Sequence, residues 1–304
     1  QKSELIESIL MGIPIPLMYL FEDKNGKKQV VDGRQRISAI LDFLEGKFKL
    51  NNLRILKQFN GCCFADLDLK QQGVIEDFQL LFYIIQPPTP ERVKYDIFDR
   101  VNRGGTPLNK QEMRNALYRG RCTRMLDKLC CSPEFLIATG RSINKERMKD
   151  QYVVLRAMAF LMLHRGEFKD IPALQYRGDI DDFLARFMVY VNDNAPEKLI
   201  VDYENLFIRC MQISYDLLGE NGFRFSGNGI RRPINMPLFE ALSYLFSFVP
   251  EKIDYTWASR LILDIESVKE EFDDSRYFSG NIDSTTSVSF RFDRMDKIIN
   301  RIQL

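Results

Sequence analysis

The sequence predicts an α+β fold, a small mixed α/β domain followed by an all-helical domain, and three observations carry that prediction. Short apolar runs bounded by turn residues occur only in the first part of the chain, the last of them ending at Pro87-Pro88. At Val30-Val31-Asp32-Gly33-Arg34-Gln35-Arg36-Ile37 a strand-like run passes directly into a helical pattern. Beyond residue 123 the periodic segments have helical spacing and no strand pattern. The chain has 304 residues, 45% hydrophobic and 28% charged, enough for about two domains, expected at 1–120 and 121–304.

Apolar residues Leu5, Ile6, Ile9 and Leu10 predict a helix over 3–11, stopped by Gly12, Pro14 and Pro16. A hairpin follows, with strands over 17–21 and 28–31 around the turn Glu22-Asp23-Lys24-Asn25-Gly26. The next helix runs through 37–44 to Gly46, and the continuous apolar run at 79–85 reads as a buried strand. Thr89 then caps a helix with Pro90 at its first position, and its apolar face is Val93, Ile97, Phe98 and Val101. After Gly104-Gly105, Asn109 and Glu112 form a capping box for another helix. Helices are predicted over 151–163, 180–191, 197–218, 237–248, 255–272 and 288–302, with irregular loops at 219–233 and 278–283. There is no internal repeat.

The net charge of +1 hides an asymmetry: residues 1–150 carry +6 and residues 151–304 carry −5, so a polyanion would meet the first half. No apolar run approaches the roughly 20 residues that span a bilayer. Six cysteines without a C-x-x-C pair, and a single histidine, His164, argue against a structural zinc site. Without a secretory signal or a disulfide framework, the chain reads as cytoplasmic with reduced thiols. It opens as if inside a helix, which predicts a truncated N-terminus. His164 follows an apolar run just before Gly166, where a helix C-terminus would favour it.

The turn at residues 32–36 is the densest chemistry in the sequence. A helix N-terminus carries partial positive charge and unpaired N–H groups, so Arg34 and Arg36 add like charge there. A bound phosphate resolves the conflict. Asp32 and Gln35, three apart, also fit a capping box, and the two readings are compatible. In the second polar region, Asn102, Arg103, Gly104, Gly105, Arg114 and Asn115 combine amides, cations and close backbone approach suited to phosphate or base. Asp32 or Glu112 offers a carboxylate for Mg2+ or a water, or simply a helix cap.

These motifs resemble a known family. The string 5–16, the segment Val31-Asp32-Gly33-Arg34-Gln35-Arg36-Ile37 and the segment 102–117 are similar, in order and spacing, to the N-terminal domain of GmrSD (type IV) restriction endonucleases, a ParB/sulfiredoxin-like family. The tail from Thr285-Thr286-Ser287 to Arg291-Phe292 is similar to that of short members. The resemblance implies a nucleotide-binding, often nucleotide-hydrolysing ParB-like domain in bacterial defence against phage DNA. Its Asp-Gly-Gln-Gln-Arg motif maps onto Asp32, Gly33, Arg34, Gln35 and Arg36, with Arg34 in place of glutamine, and implies Asp32, Gln35 and Arg36 as catalytic residues. Arg103 replaces a small polar residue, and the family's Tyr-Gln-Arg segment upstream of the first helix is missing. Full-length enzymes of this type add a histidine-dependent HNH nuclease domain, which a chain with His164 alone does not supply.

Three functions are therefore expected in order. The first is a nucleoside-triphosphate-binding, NTP-hydrolysing regulatory module that controls a defence response or a partner nuclease. The second is DNA binding or a nuclease component, using the basic first half and the cluster Arg119, Arg121 and Arg124. The third is a non-catalytic interaction module whose helical half docks a partner.

Overall fold

The structure is a computed structural model that describes residues 1–22, 26–86, 108–225, 231–250, 254–275, 277–278 and 280–302. The chain divides into two compact units, Gln1–Pro107 and Leu108–Leu304. The first holds a small sheet with helices and the second, among the described residues, is helical, so the α+β class with a helical C-terminal part is what the chain adopts. The expected helix opened by Thr89 and Pro90 lies outside the described residues.

In the first unit, helix α1 (Lys2–Leu10) precedes a three-stranded sheet formed by β1 (Met18–Glu22), β2 (Lys28–Asp32) and β3 (Phe82–Ile85), in the order β2-β1-β3. β1 pairs antiparallel with β2 and parallel with β3. Helix α2 (Arg34–Leu44) follows β2 after one residue, and α3 (Leu69–Glu76) precedes β3. Ile6 and Ile9 of α1 pack with Ile40 and Phe43 of α2, Ile75 of α3, and Leu50, Leu53 and Leu67 between them. Fully burying an apolar side chain of this size contributes roughly 1.5–3 kcal/mol.

One carboxylate inside this packing organises the connection after α2. Glu7 is 4% exposed and accepts from the backbone N–H groups of Leu56 at 2.7 Å, Ile55 at 2.8 Å and Arg54 at 3.3 Å. The Leu56 N–H, with those of Ile55 and Arg54, holds the carboxyl below its ordinary range despite burial.

The buried strand expected over 79–85 is corrected. Only Phe82–Ile85 is strand, and Phe82, Tyr83 and Ile84 are each more than a third exposed. Among the described residues β3 lies at the sheet edge in the β2-β1-β3 order, so no other described strand pairs with the outer side of its ladder.

The second unit comprises α4 (Lys110–Leu117), α5 (Arg121–Cys130), α6 (Pro133–Ala138), α7 (Lys149–His164), α8 (Ile180–Asp193), α9 (Glu197–Leu218), α10 (Met236–Phe246), α11 (Tyr255–Asp273) and α12 (Thr285–Ile302). Polar side chains cap many of them: Asn109 for α4, Ser132 for α6, Asp179 for α8, Asn235 for α10 and Asp254 for α11. α7 and α10 are buried almost all round, which places them at the centre of the unit.

Charge lies inside that centre. Glu240 of α10 is fully buried and pairs with Arg156 of α7, and at 3.0 Å with Arg291 of α12. Arg156 also donates to Asp283 at 2.6 Å and to the Tyr152 hydroxyl at 3.1 Å, while Arg291 donates to the Ile282 carbonyl at 2.6 Å. Burial opposes the charge on Arg156, but the Glu240 and Asp283 carboxylates outweigh it and hold its pKa well above normal.

His164 is the last residue of α7, as expected, but not as a cation facing a helix end. Its ring stacks on Phe292 with centroids 3.6 Å apart and planes 7° from parallel. Burial and the nearby Arg291 charge push its pKa down to about 3, so the imidazole is neutral.

Glu240→Gln leaves two buried guanidiniums undercompensated, and chemical denaturation is expected to show a loss of about 3–5 kcal/mol. His164 binds a proton more readily unfolded than folded, so its contribution is complete above about pH 6.5. It falls as the pH drops toward about 3. Urea melts across that window are expected to show a shallower acid slope for His164→Phe, which keeps the stack and removes the titration.

Candidate functional site

The strand-to-helix junction is built by a β-bulge and a glycine. Tyr19 pairs with Asp32 and Leu20 with Val30, so Val31 is an extra residue on β2 and alters the facing of the strand's end. Gly33 follows with φ +97° and is the N-cap residue of α2. A Cβ there would come within 2.6 Å of the sulfur of Met18, which is fully buried. Both the backbone angle and the close approach require glycine.

The expected capping box between Asp32 and Gln35 does not form. Gly33, not Asp32, occupies the cap position, and no side chain caps α2. The Asp32 carboxylate instead pairs with Arg36, four residues on, and Arg36 also donates to the Pro16 carbonyl. Both partners are about three-quarters buried, which raises this pair above a surface salt bridge in effect. Gln35 and Arg34 are exposed, and neither side chain has a partner among the described residues.

An open helix start results. The first N–H of the turn to meet a backbone acceptor is that of Ile37, which donates to the Gly33 carbonyl at 2.8 Å. The N–H groups of Arg34, Gln35 and Arg36 have no acceptor among the described residues, and α2 carries no acid in its first turn. Partial positive charge and three donors stand at a helix start whose first residue is the exposed Arg34, an arrangement suited to an anion such as a phosphate.

The second constellation is placed only in part, because Asn102, Arg103, Gly104 and Gly105 lie outside the described residues. Asn109 and Glu112 form the capping box read from the sequence: the Asn109 side chain accepts from the N–H groups of Gln111 and Glu112, and Glu112 accepts from that of Asn109 at 2.7 Å. Glu112 also pairs with Arg147 at 3.1 Å. Arg114 is completely buried, donating to Gln111 at 3.0 Å and paired with Asp181 of α8. Asn115 accepts from Gln111 at 2.8 Å and donates to Gln151. These polar groups face neighbouring helices of their own unit.

Arg121 of the basic cluster pairs with Glu197 at 2.7 Å and donates to the Ala195 carbonyl at 2.9 Å. Arg119 and Arg124 are exposed, without ion-pair partners among the described residues. Among the described residues, no group of three or more His, Cys, Asp and Glu side chains could hold a metal ion. All six cysteines are free thiols. Burial raises the pKa of Cys122 and Cys130, and that of Cys210 to about 12, which leaves those thiols unreactive near neutrality.

Sequence reading missed the Glu240 network. Its signal was present: Glu240 interrupts the run Pro237-Leu238-Phe239-Glu240-Ala241-Leu242, and Arg156 interrupts Val153-Val154-Leu155-Arg156-Ala157-Met158. A lone charge in a helix that is apolar on every face needs a buried partner.

One comparison bears on the segment that contains the junction, which is similar to a restriction-type domain. Residues 1–119 match the family model of the GmrSD restriction endonuclease N-terminal domain. The resemblance carried by the motifs at 31–37 and 102–117 holds over that segment, which runs past the first compact unit and takes in α4. Comparison with curated proteins and with solved structures returns no match. No helix among the described residues is long and apolar enough to cross a membrane.

Gly33→Ala forces a side chain into a left-handed backbone and against Met18. Thermal or urea denaturation is expected to show a loss of about 1–3 kcal/mol.

Proposed function

We propose that the junction at residues 32–36 binds the phosphates of a nucleoside triphosphate and that slow hydrolysis there regulates a restriction-type defence response in the bacterial cytoplasm. The observation that carries this reading is the uncapped start of α2, with three N–H groups unmatched among the described residues and two arginines in its first turn. In the proposal, Gly33 brings the backbone close to the phosphates and Arg34 supplies the mobile cation. Arg36, fixed by Asp32 and the Pro16 carbonyl, offers its remaining N–H groups in a set orientation.

Gln35, uncharged and without a side-chain partner among the described residues, orients the attacking water in this scheme. Asp32 has two tasks in this scheme, to hold Arg36 and to contact a nucleotide-bound Mg2+, which needs only one or two protein carboxylates. Asn102, Arg103, Gly104 and Gly105 complete the proposed nucleotide contacts. The burial of Arg114 and the amide contacts of Asn115 commit both side chains to the helical unit, which favours a structural role there over direct contact with ligand. Glu112, held by Asn109 and Arg147, is likewise better suited to support than to metal binding.

The proposed partner is a nuclease or other defence subunit that reads the nucleotide state. DNA binding is the second reading, favoured by exposed Arg119 and Arg124, although Glu197 already neutralises Arg121. It predicts affinity that falls steeply with salt and is lost in Arg119→Ala/Arg124→Ala.

Thermal shift and phosphate release with each NTP and Mg2+ test the leading reading. Stabilisation by at least one triphosphate is expected, weakened about ten-fold or more in affinity by Arg34→Ala or Arg36→Ala. Gln35→Ala is expected to keep binding and lose turnover. Responses that are equal in the parent and Arg36→Ala would sink the proposal.

A further inference from the structure

A cavity of about 370 Å3 opens between α6 and the start of α7, within the helical unit. This is within the size range of small-ligand pockets. Phe135, Leu136 and Ile143 give it apolar walls, and Asp150, only 6% exposed, lines it from the first turn of α7. The carboxylate has one hydrogen bond, accepted by Oδ1 from the Gln151 N–H at 2.8 Å. Oδ2 has no partner among the described residues. The exposed cations Arg141 and Lys145 line the same cavity, and neither has an ion-pair partner among the described residues.

The other polar lining is already committed. Thr139 donates to the Phe135 carbonyl at 2.7 Å, and Asn144 donates to Glu146 at 2.9 Å. The loop that carries Arg141 is braced from behind. Buried Arg224 donates to the Thr139 carbonyl at 3.2 Å and to the Ser142 hydroxyl. Gly140, at φ +58°, sits where a Cβ would come within 2.6 Å of Glu220 Oε2. The cavity is therefore held open by the fold itself.

The Asp150 Oδ2, open to the cavity beside Phe135, Leu136 and Ile143, offers an acceptor to N–H donors on a ligand. The two cations of the same lining favour an anionic group on the ligand. Guanine presents adjacent ring and exocyclic N–H donors that match a carboxylate, whereas adenine places an acceptor at the corresponding ring nitrogen. We infer that the cavity binds a guanosine 5′-monophosphate-type ligand, with the base edge on Asp150 and the phosphate at Arg141 and Lys145. This site lies in the helical unit and is independent of the turn at residues 32–36.

Calorimetric titration of the full chain with guanosine 5′-monophosphate, adenosine 5′-monophosphate and inorganic phosphate tests it. The guanine nucleotide is expected to bind at least about ten-fold tighter than the other two, because adenine sets an acceptor against the Asp150 carboxylate and inorganic phosphate has no base to engage it. Asp150→Asn is expected to abolish that preference and Leu136→Trp, which fills the cavity, to abolish binding. Arg36→Ala is expected to retain both. Equal affinities in the parent, no guanosine 5′-monophosphate binding at millimolar concentration, or persistence in Leu136→Trp overturns the inference. So does loss in Arg36→Ala with retention in Asp150→Asn, which places the nucleotide at the other turn. If Asp150→Asn fails a circular-dichroism folding check, Leu136→Trp and Arg141→Glu decide, the latter expected to weaken the nucleotide and leave the fold intact.

Discussion

Glu240 is the constraint on which the helical unit depends. It sits fully buried between two guanidiniums, and through them joins α10 to α7 and α12. Apolar packing would draw these helices together in several rotations; the ion pairs admit far fewer, because each partner left unmatched is a charge out of water. Asp283, Tyr152 and the Ile282 carbonyl take up much of the remaining hydrogen-bonding capacity of the arginines. The same α7 that Arg156 fixes also carries Asp150 and Gln151 at its start, so the core sets the position of polar groups far from it in chemistry.

The first unit shows the opposite use of charge. At α2 the chain supplies neither a capping side chain nor an acidic first turn, although it caps α4, α6 and α8 with Asn109, Ser132 and Asp179. What would be the natural cap, Asp32, is spent on Arg36. That choice keeps one arginine fixed, leaves the other exposed and leaves the helix donors facing outward. Such a start is less stable by itself than a capped one and is better matched to an anionic ligand.

The fold was legible wherever periodicity alone decides. Both ends of the helix expected over 197–218 coincide with Glu197–Leu218, and the Asn109 and Glu112 box was readable because a cap is a contact between near neighbours. The role of Asp32 was not, since it turns on Gly33 entering a left-handed conformation against Met18, a residue of the neighbouring strand. Arg114 and Arg121 were read as outward cations because their partners, Asp181 and Glu197, are remote in sequence. β3 was read as buried because an apolar run does not disclose its place in the sheet order.

The mixed pairing of that sheet also bears on the order in which it forms. β1 ends at Glu22 and β2 begins at Lys28, so their antiparallel ladder closes a short loop with little loss of chain entropy and on the timescale of a hairpin, about 1–10 μs. β3 enters beside β1 only after the whole stretch from Glu22 to Phe82 has been gathered in, including α2 and α3. Long-range parallel pairing of this kind is slow. The glycine junction at the end of β2 is thus set by local chain, while the opposite edge of the sheet is a late arrival, and a nascent chain would present β1 with one flank open until β3 had been synthesised.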